Sequence, residues 1–493
     1  MCPLSRLALR TAVTSDQKVV LKECALGTQP DAKKGCPEVN KDRFKEYQAL
    51  LKLGRTSGSA TQSLWDALKG KAVGTYNRDN PLMQLHMADD VEFQTAGSMS
   101  TLNSKLYDND YRFEGVEAVF AKGYSGIVDG LVSGVTDVAG GAGTKKPIPV
   151  STNKRVSAVE KVGSKLKVSI SDGTSLMADH VIFTGSVGVL KAKTVSFNPP
   201  LSKAKLDAVS QVGFGNVIKV GLLFEKRFWP ENYHYFALAQ PTGANLQQAE
   251  RFSYILNLQP FTNRSVLFAF VFGSSAWELE SWTDVQVWSA VRANLVQLFG
   301  KDTVPAAAKA IWRSSWGTNP NFRGSYSYMT PATSLCAFFA LSQPEMGGGL
   351  HFAGEHTLGS ARGTVHGAFL SGLRAASEVL ATTRCTSTRI GSVNKKAAAV
   401  IHDDGDCAEK AAEAAEAADN ENPDDEPETL TTDLQDKPQA GTCMDLHTKC
   451  TQWAAACTSI KIGRLVRGTC ARTCGLCSQG LPTGAMLLSA QLQ

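Results

Sequence analysis

The sequence predicts an α/β core interrupted by an α+β lobe, followed by an acidic linker and a small cysteine-stapled module. Three observations carry this. Strand-like and helix-like segments alternate through most of the first 385 residues, the pattern of a layered α/β fold. Residues 350–380, LHFAGEHTLGSARGTVHGAFLSGLRAASEVL, read as a buried strand, a Gly-punctuated loop and an amphipathic helix starting near Thr364. Six cysteines, Cys443, Cys450, Cys457, Cys470, Cys474 and Cys477, fall within 35 residues near the C-terminus.

In chain order, residues 7–20 read as two short strands, and 43–53 (RFKEYQALLKL) and 63–68 as helices. Residues 156–170 alternate as strand, turn, strand, and the turn Ser171-Asp172-Gly173 leads on to a buried strand at 181–184. A short helix follows at 203–209, then strands at 217–224 and 265–272, then an amphipathic helix at 284–299.

At 493 residues, 43 % apolar and 20 % charged, the composition is that of soluble globular material in two to four domains. No run approaches the ~18 apolar residues of a membrane span. Arg6 and Arg10 interrupt the only hydrophobic run near Met1, so no secretory signal is visible. Between residues 402 and 438, 14 acids face only Lys410 and Lys437, a net of −12; the rest carries about +17 against an overall +5. That segment has too little apolar surface and too much like charge to fold, and reads as a solvated linker. No nucleic-acid partner is expected.

Six cysteines this dense usually staple a module too small to hold a core. Zinc is the competing arrangement, with thiolates from Cys470, Cys474 and Cys477 and His447 nearby, but paired CxxC knuckles are missing and the even count favours disulfides. Cys2, Cys24, Cys36, Cys336, Cys385 and Cys407 show no metal spacing and read as buried thiols; no metal is expected.

A helix entered through Gly363, Thr364 and Val365, with no bulky side chain in its first turn, leaves backbone N–H groups free to meet an anionic or electron-rich group. With one acid, Glu355, in the preceding loop, it reads as a cofactor seat. The ordered string FAGEHT, GTVHGA, LSGLRAA closely resembles the C-terminal flavin-binding motif of the flavin-dependent amine oxidases, the family of monoamine oxidases, polyamine oxidases and lysine-specific histone demethylases. Residues 178–229 (ADHVIFTGSVGVLK…GFGNVIKVGLLFEKRFW), 312–328 (Trp316, Pro320, GSYSY) and, more faintly, 113–131 repeat the resemblance in the family's order.

The resemblance implies a two-domain FAD-binding fold, with flavin-lobe segments at about 1–35, 113–198 and 345–385 and substrate-lobe segments at about 36–112 and 199–344. It implies that Lys219 holds a water beside flavin N5 and that Trp316 lies against the flavin. Gly354, Glu355, Gly363, Thr364 and Val365 would contact the cofactor, and Val156 would present backbone to adenine. A lysine in an apolar strand is costly to bury, so a partner is expected near Lys219. Tyr326 matches one aromatic wall of the family's substrate site. The second wall is a tyrosine in monoamine and many polyamine oxidases but threonine in the histone demethylases, as Thr364 is here. Glu92 reads either as the carboxylate for a distal ammonium or as an exposed loop acid.

The implied chemistry is oxidation of an amine, polyamine-type, to an imine and then an aldehyde, with molecular oxygen reduced to hydrogen peroxide. The alternatives are a demethylase-like oxidase of methylated lysine and a catalytically inactive scaffold. The family's strand, GxGxxG turn and helix for the dinucleotide pyrophosphate have no match: residues 1–35 lack the motif, and Gly140, Gly141 and Gly143 follow no strand. Weak FAD retention is the expectation.

The pattern CMDLHTKCTQWAAAC…CARTCGLC resembles the ShKT domain, which implies pairing Cys443–Cys477, Cys450–Cys470 and Cys457–Cys474. The channel-blocking toxins of that family set a tyrosine beside a lysine; here Ile462 follows Lys461, so a module for binding a protein partner or for oligomerisation is expected. The organisation is then 1–385 amine-oxidase-like, 386–441 linker, 442–478 ShKT module and 479–493 tail. The cysteines suggest a secretory or extracellular address.

Overall fold

The computed structural model describes residues 11–13, 19–23, 44–74, 76–109, 118–120, 124–134, 147–230, 233–240 and 249–382. The linker, the ShKT module with its six cysteines and the tail lie outside the described residues.

The frame is a six-stranded sheet in the order Ala310–Arg313, Ile218–Leu223, Val266–Val271, Arg251–Asn257, Tyr235–Ala239, Val19–Glu23. Neighbours are antiparallel except the last pair, where Val19–Glu23 runs parallel to Tyr235–Ala239. Residues 19–23 thus take their place in this sheet; a pairing across more than 200 residues has no local signature. The pleat sends Ile218, Val220 and Leu222 to one side, all fully buried. There they pack with Val287, Val291, Leu295 and Leu298 of the helix Asp284–Phe299. That helix opens on a reciprocal capping box between Thr283 and Gln286, worth about 1 kcal/mol, and ends at Gly300 with φ 89°. The opposite face meets the lobe of Phe44–Ser57, Leu64–Ala67 and Pro81–His86, where Tyr47, Leu50, Leu82 and Met83 pack near Tyr254 and Phe270.

A four-stranded sheet (Ser196–Asn198, Val156–Val162, Lys165–Ile170, Ser175–Ala178) and a two-stranded parallel pair (Leu350–Phe352 with Val181–Phe183) make the second frame. Phe183, Val187, Val209, Phe338 and Phe352 share a core there. The helix Val365–Thr382 follows Leu350–Phe352 through two single turns of 3-10 helix. Among the described residues no helix is long and apolar enough to cross a membrane.

Candidate functional site

The loop after Leu350–Phe352 is built from glycine geometry and one buried arginine. Gly354 sits at φ 136° and Gly363 at φ 69°, conformations that L side chains rarely adopt. Thr364 caps the helix, its Oγ1 accepting from Gly367 N at 3.0 Å while donating to Ala361 O at 2.6 Å. A Cβ on Gly367 would lie 2.0 Å from Ala361 O, so only glycine lets this turn close. Val365, at the helix start, is 59 % exposed, and an α-helix leaves its first amides without intrahelical partners.

Glu355 is a strut inside this turn. Its carboxylate accepts from Ser327 N (3.2 Å), Ser327 Oγ (2.6 Å) and Gly363 N (2.7 Å), tying the GSYSY segment to the helix approach. Burial raises its pKa, opposed by those hydrogen bonds and by the charge of Arg362. Tyr326 stands against Gly363, where an added Cβ would come within 3.2 Å of its Cδ2. Its hydroxyl donates to Phe93 O, which fixes the ring.

Trp316 is 38 % exposed and packs edge-on against Phe322, centroids 5.1 Å apart at 87°. Glu280, which the sequence does not single out, holds its loop: the carboxylate accepts from Gly317 N (2.6 Å), Thr318 N (2.5 Å) and Asn216 Nδ2 (2.8 Å). Asn216 Oδ1 in turn accepts from Ser325 Oγ. The Lys219 backbone is bound on both sides by Ser314, through Lys219 N to Ser314 Oγ and Ser314 N to Lys219 O, each 3.0 Å. Its side chain is exposed, and surrounding protein still lowers its pKa by desolvation. Among the described residues its ammonium has no hydrogen-bond or ion-pair partner.

Glu92 is not an exposed loop acid. It ends a π-helical turn, Met87–Glu92, and is fully buried, its Oε1 accepting from Met99 N (2.7 Å) and Ser98 Oγ (3.2 Å). Ser98 Oγ also reaches Glu250 Oε1 at 3.0 Å, and Glu92 Oε2 has no partner. Burial, then the neighbouring Glu250, raises the Glu92 pKa well above the usual carboxylate range. Val156 begins a strand of the four-stranded sheet, half-buried opposite Ile170.

Asp89, on the same π-helical turn, is pushed up to about 7, mainly by burial and then by Asp90. The folded state keeps this proton until about pH 7, whereas an unfolded aspartate releases it near pH ~4. The stabilising contribution is full below pH ~4 and is lost as pH rises through about 7. Asp89→Asn should flatten that part of the profile of melting temperature against pH; an unchanged slope would remove Asp89 from the account.

A helix start and glycine backbone in the turn Gly363 to Val365 suit the carbonyl edge of a flavin, which takes amide donors there, and Trp316 presents a part-exposed indole on a separate loop. The chain belongs to the flavin containing amine oxidoreductase family, whose model matches residues 10–380, and an ShK domain-like model matches 442–477. Histone demethylase-like protein A of Aspergillus fumigatus is 34 % identical over 346 residues, 65 % of this chain and 31 % of that protein. The chain thus spans about a third of that relative's length. Probable polyamine oxidase 5 of Arabidopsis thaliana is 27 % identical over 376 residues, 66 % of this chain and 69 % of that protein. A solved putrescine oxidase, a double mutant redesigned for cofactor binding, shares the fold at TM-score 0.57 and 17 % identity, covering 77 % of this chain and 84 % of its own. The cofactor of the family is FAD.

Proposed function

We propose that this chain oxidises an amine of polyamine type with FAD, releasing an imine that water hydrolyses to aldehyde and free amine. FAD supplies the two-electron acceptor when bound, and molecular oxygen carries the electrons away as hydrogen peroxide. One observation supports this best: hydrogen bonds alternating with one- or two-residue stretches of chain tie the segments that carry the proposed residues. They run from Lys219 through Ser314 to the Trp316 loop, from Trp316 O to Gly324 N (3.0 Å), and from Gly215 N to Tyr326 O (2.9 Å). They end at Glu355, shared by Ser327 and Gly363.

In this reading the Lys219 ammonium holds a water in the reacting space and Tyr326 fixes the direction of the amine. Thr364, committed to capping the helix, is far smaller than the tyrosine that forms the second wall in many polyamine oxidases. That threonine and the demethylase-named relative favour a second reading, oxidation of methylated lysine.

Peroxide release from the FAD-supplemented chain, with spermidine, spermine and an N-methyl-lysine peptide compared, separates the two. Peroxide from none of them would leave the inactive scaffold. Lys219→Met should lower the rate roughly tenfold or more, at least ~1.4 kcal/mol of transition-state stabilisation. An unchanged rate would end the role given to Lys219.

A further inference from the structure

Lys219, Gly221 and Leu223 alternate on the face of their strand opposite the buried Ile218, Val220 and Leu222. Gly221 pairs with Phe268 on one side and with Trp312 on the other. A Cβ there would lie 2.8 Å from Phe268 Cε1 and 3.6 Å from Trp312 Cε3, so the missing side chain opens a floor between two rings. Those rings stand 6.4 Å apart at 31°, and Trp312 is 57 % exposed. The result is a cavity of about 270 Å³ whose described lining, including Leu223, Val266, Phe268 and Trp312, is wholly apolar.

We infer that this slot holds the hydrocarbon arm of the amine whose nitrogen reacts beside Lys219. The inference rests on the amine-oxidation reading and narrows its substrate class. The slot starts one pleat from Lys219 on the same face, and Gly221 to Leu223 spans roughly 7 Å, the length of about five or six carbons. Its volume lies just below the ~300–1,000 Å³ of pockets that enclose whole ligands, which suits a subsite for one arm.

Among the described residues no carboxylate lines the slot, and Glu92 is sealed in the core. A second ammonium inside the slot would therefore be desolvated without a partner. The substrate carries an uncharged run about as long as the slot, roughly five or six carbons, next to the reacting nitrogen, and any further charge lies beyond it.

The test is the affinity of the full chain, with and without added FAD, for methylamine, n-butylamine, n-hexylamine and 1,4-diaminobutane, read by saturation-transfer NMR. Hexylamine should bind at least tenfold more tightly than methylamine, and 1,4-diaminobutane more weakly than butylamine. Trp312→Ala, which removes a surface ring and leaves the core intact, and Gly221→Val, which fills the floor, should each abolish most of the chain-length gradient without changing methylamine. A flat gradient in the unaltered chain, or one that survives both substitutions, overturns the slot. If the gradient holds and no amine is oxidised, the amine-oxidase reading falls and the slot stands.

Discussion

Gly215→Val should yield no folded protein. A Cβ at this buried position would lie 2.0 Å from Ala96 O and 2.4 Å from Ala96 C, backbone atoms that cannot swing aside as a side chain can. Ala96 is itself held at φ 57°, and Gly215 is fastened on both sides, Gly215 N to Tyr326 O and Ser325 N to Gly215 O. Separating these segments breaks that pairing as well as repacking the core, an expected cost above about 4 kcal/mol against a total domain stability of about 5–15 kcal/mol. Gly372→Ala is the matched control. Nothing lies within 4 Å of its added Cβ inside the helix Val365–Thr382, so it should gain about 0.5–1 kcal/mol. Soluble yield and thermal melting decide both, and a Gly215→Val protein melting within a few degrees of the parent would refute the clash argument.

Arg362→Ala should cost about 3–5 kcal/mol in urea unfolding. The guanidinium is 6 % exposed and donates to four carbonyls: Asn109 O (2.7 Å), Gly359 O (3.0 Å), Tyr107 O (2.8 Å) and Leu106 O (3.4 Å). Hydrogen bonds from charged donors are worth ~1.5–3 kcal/mol each, and water entering the vacated space recovers only part. Arg362→Lys should restore less than half, because one ammonium cannot reproduce a planar fork reaching two chain segments. Full recovery with lysine would show that charge alone matters here.

How far the sequence reveals this molecule depends on how local each cause is. The helix Asp284–Phe299 is legible to the residue, since its apolar period, its Thr283 cap and Gly300 all lie within the segment. The strand pair Val156–Val162 and Lys165–Ile170 is equally plain, with Gly163 at φ 62° making its turn. The start of the seat helix is legible because Gly363, Thr364 and Gly367 fall within five residues. The π-helical turn Met87–Glu92 is not, because one extra residue in a helix leaves no compositional mark. Glu280 was invisible for another reason: its partners are backbone amides 37 and 38 residues further on, and nothing in WELESW announces them. Arg362 left a fainter trace, a lone cation among small residues in SARGT. The partner expected for Lys219 presupposes a buried ammonium, whereas this side chain is exposed.

The Glu280 brace has a corollary for protein engineering. GFGN, WGTN and GSYSY are far apart or loosely spaced along the chain, yet one carboxylate and one amide bind Gly317, Thr318, Asn216 and Ser325 into a single rigid part. A motif grafted alone from another chain would arrive without its anchor, so transplanting any one of the three calls for moving Glu280 with it.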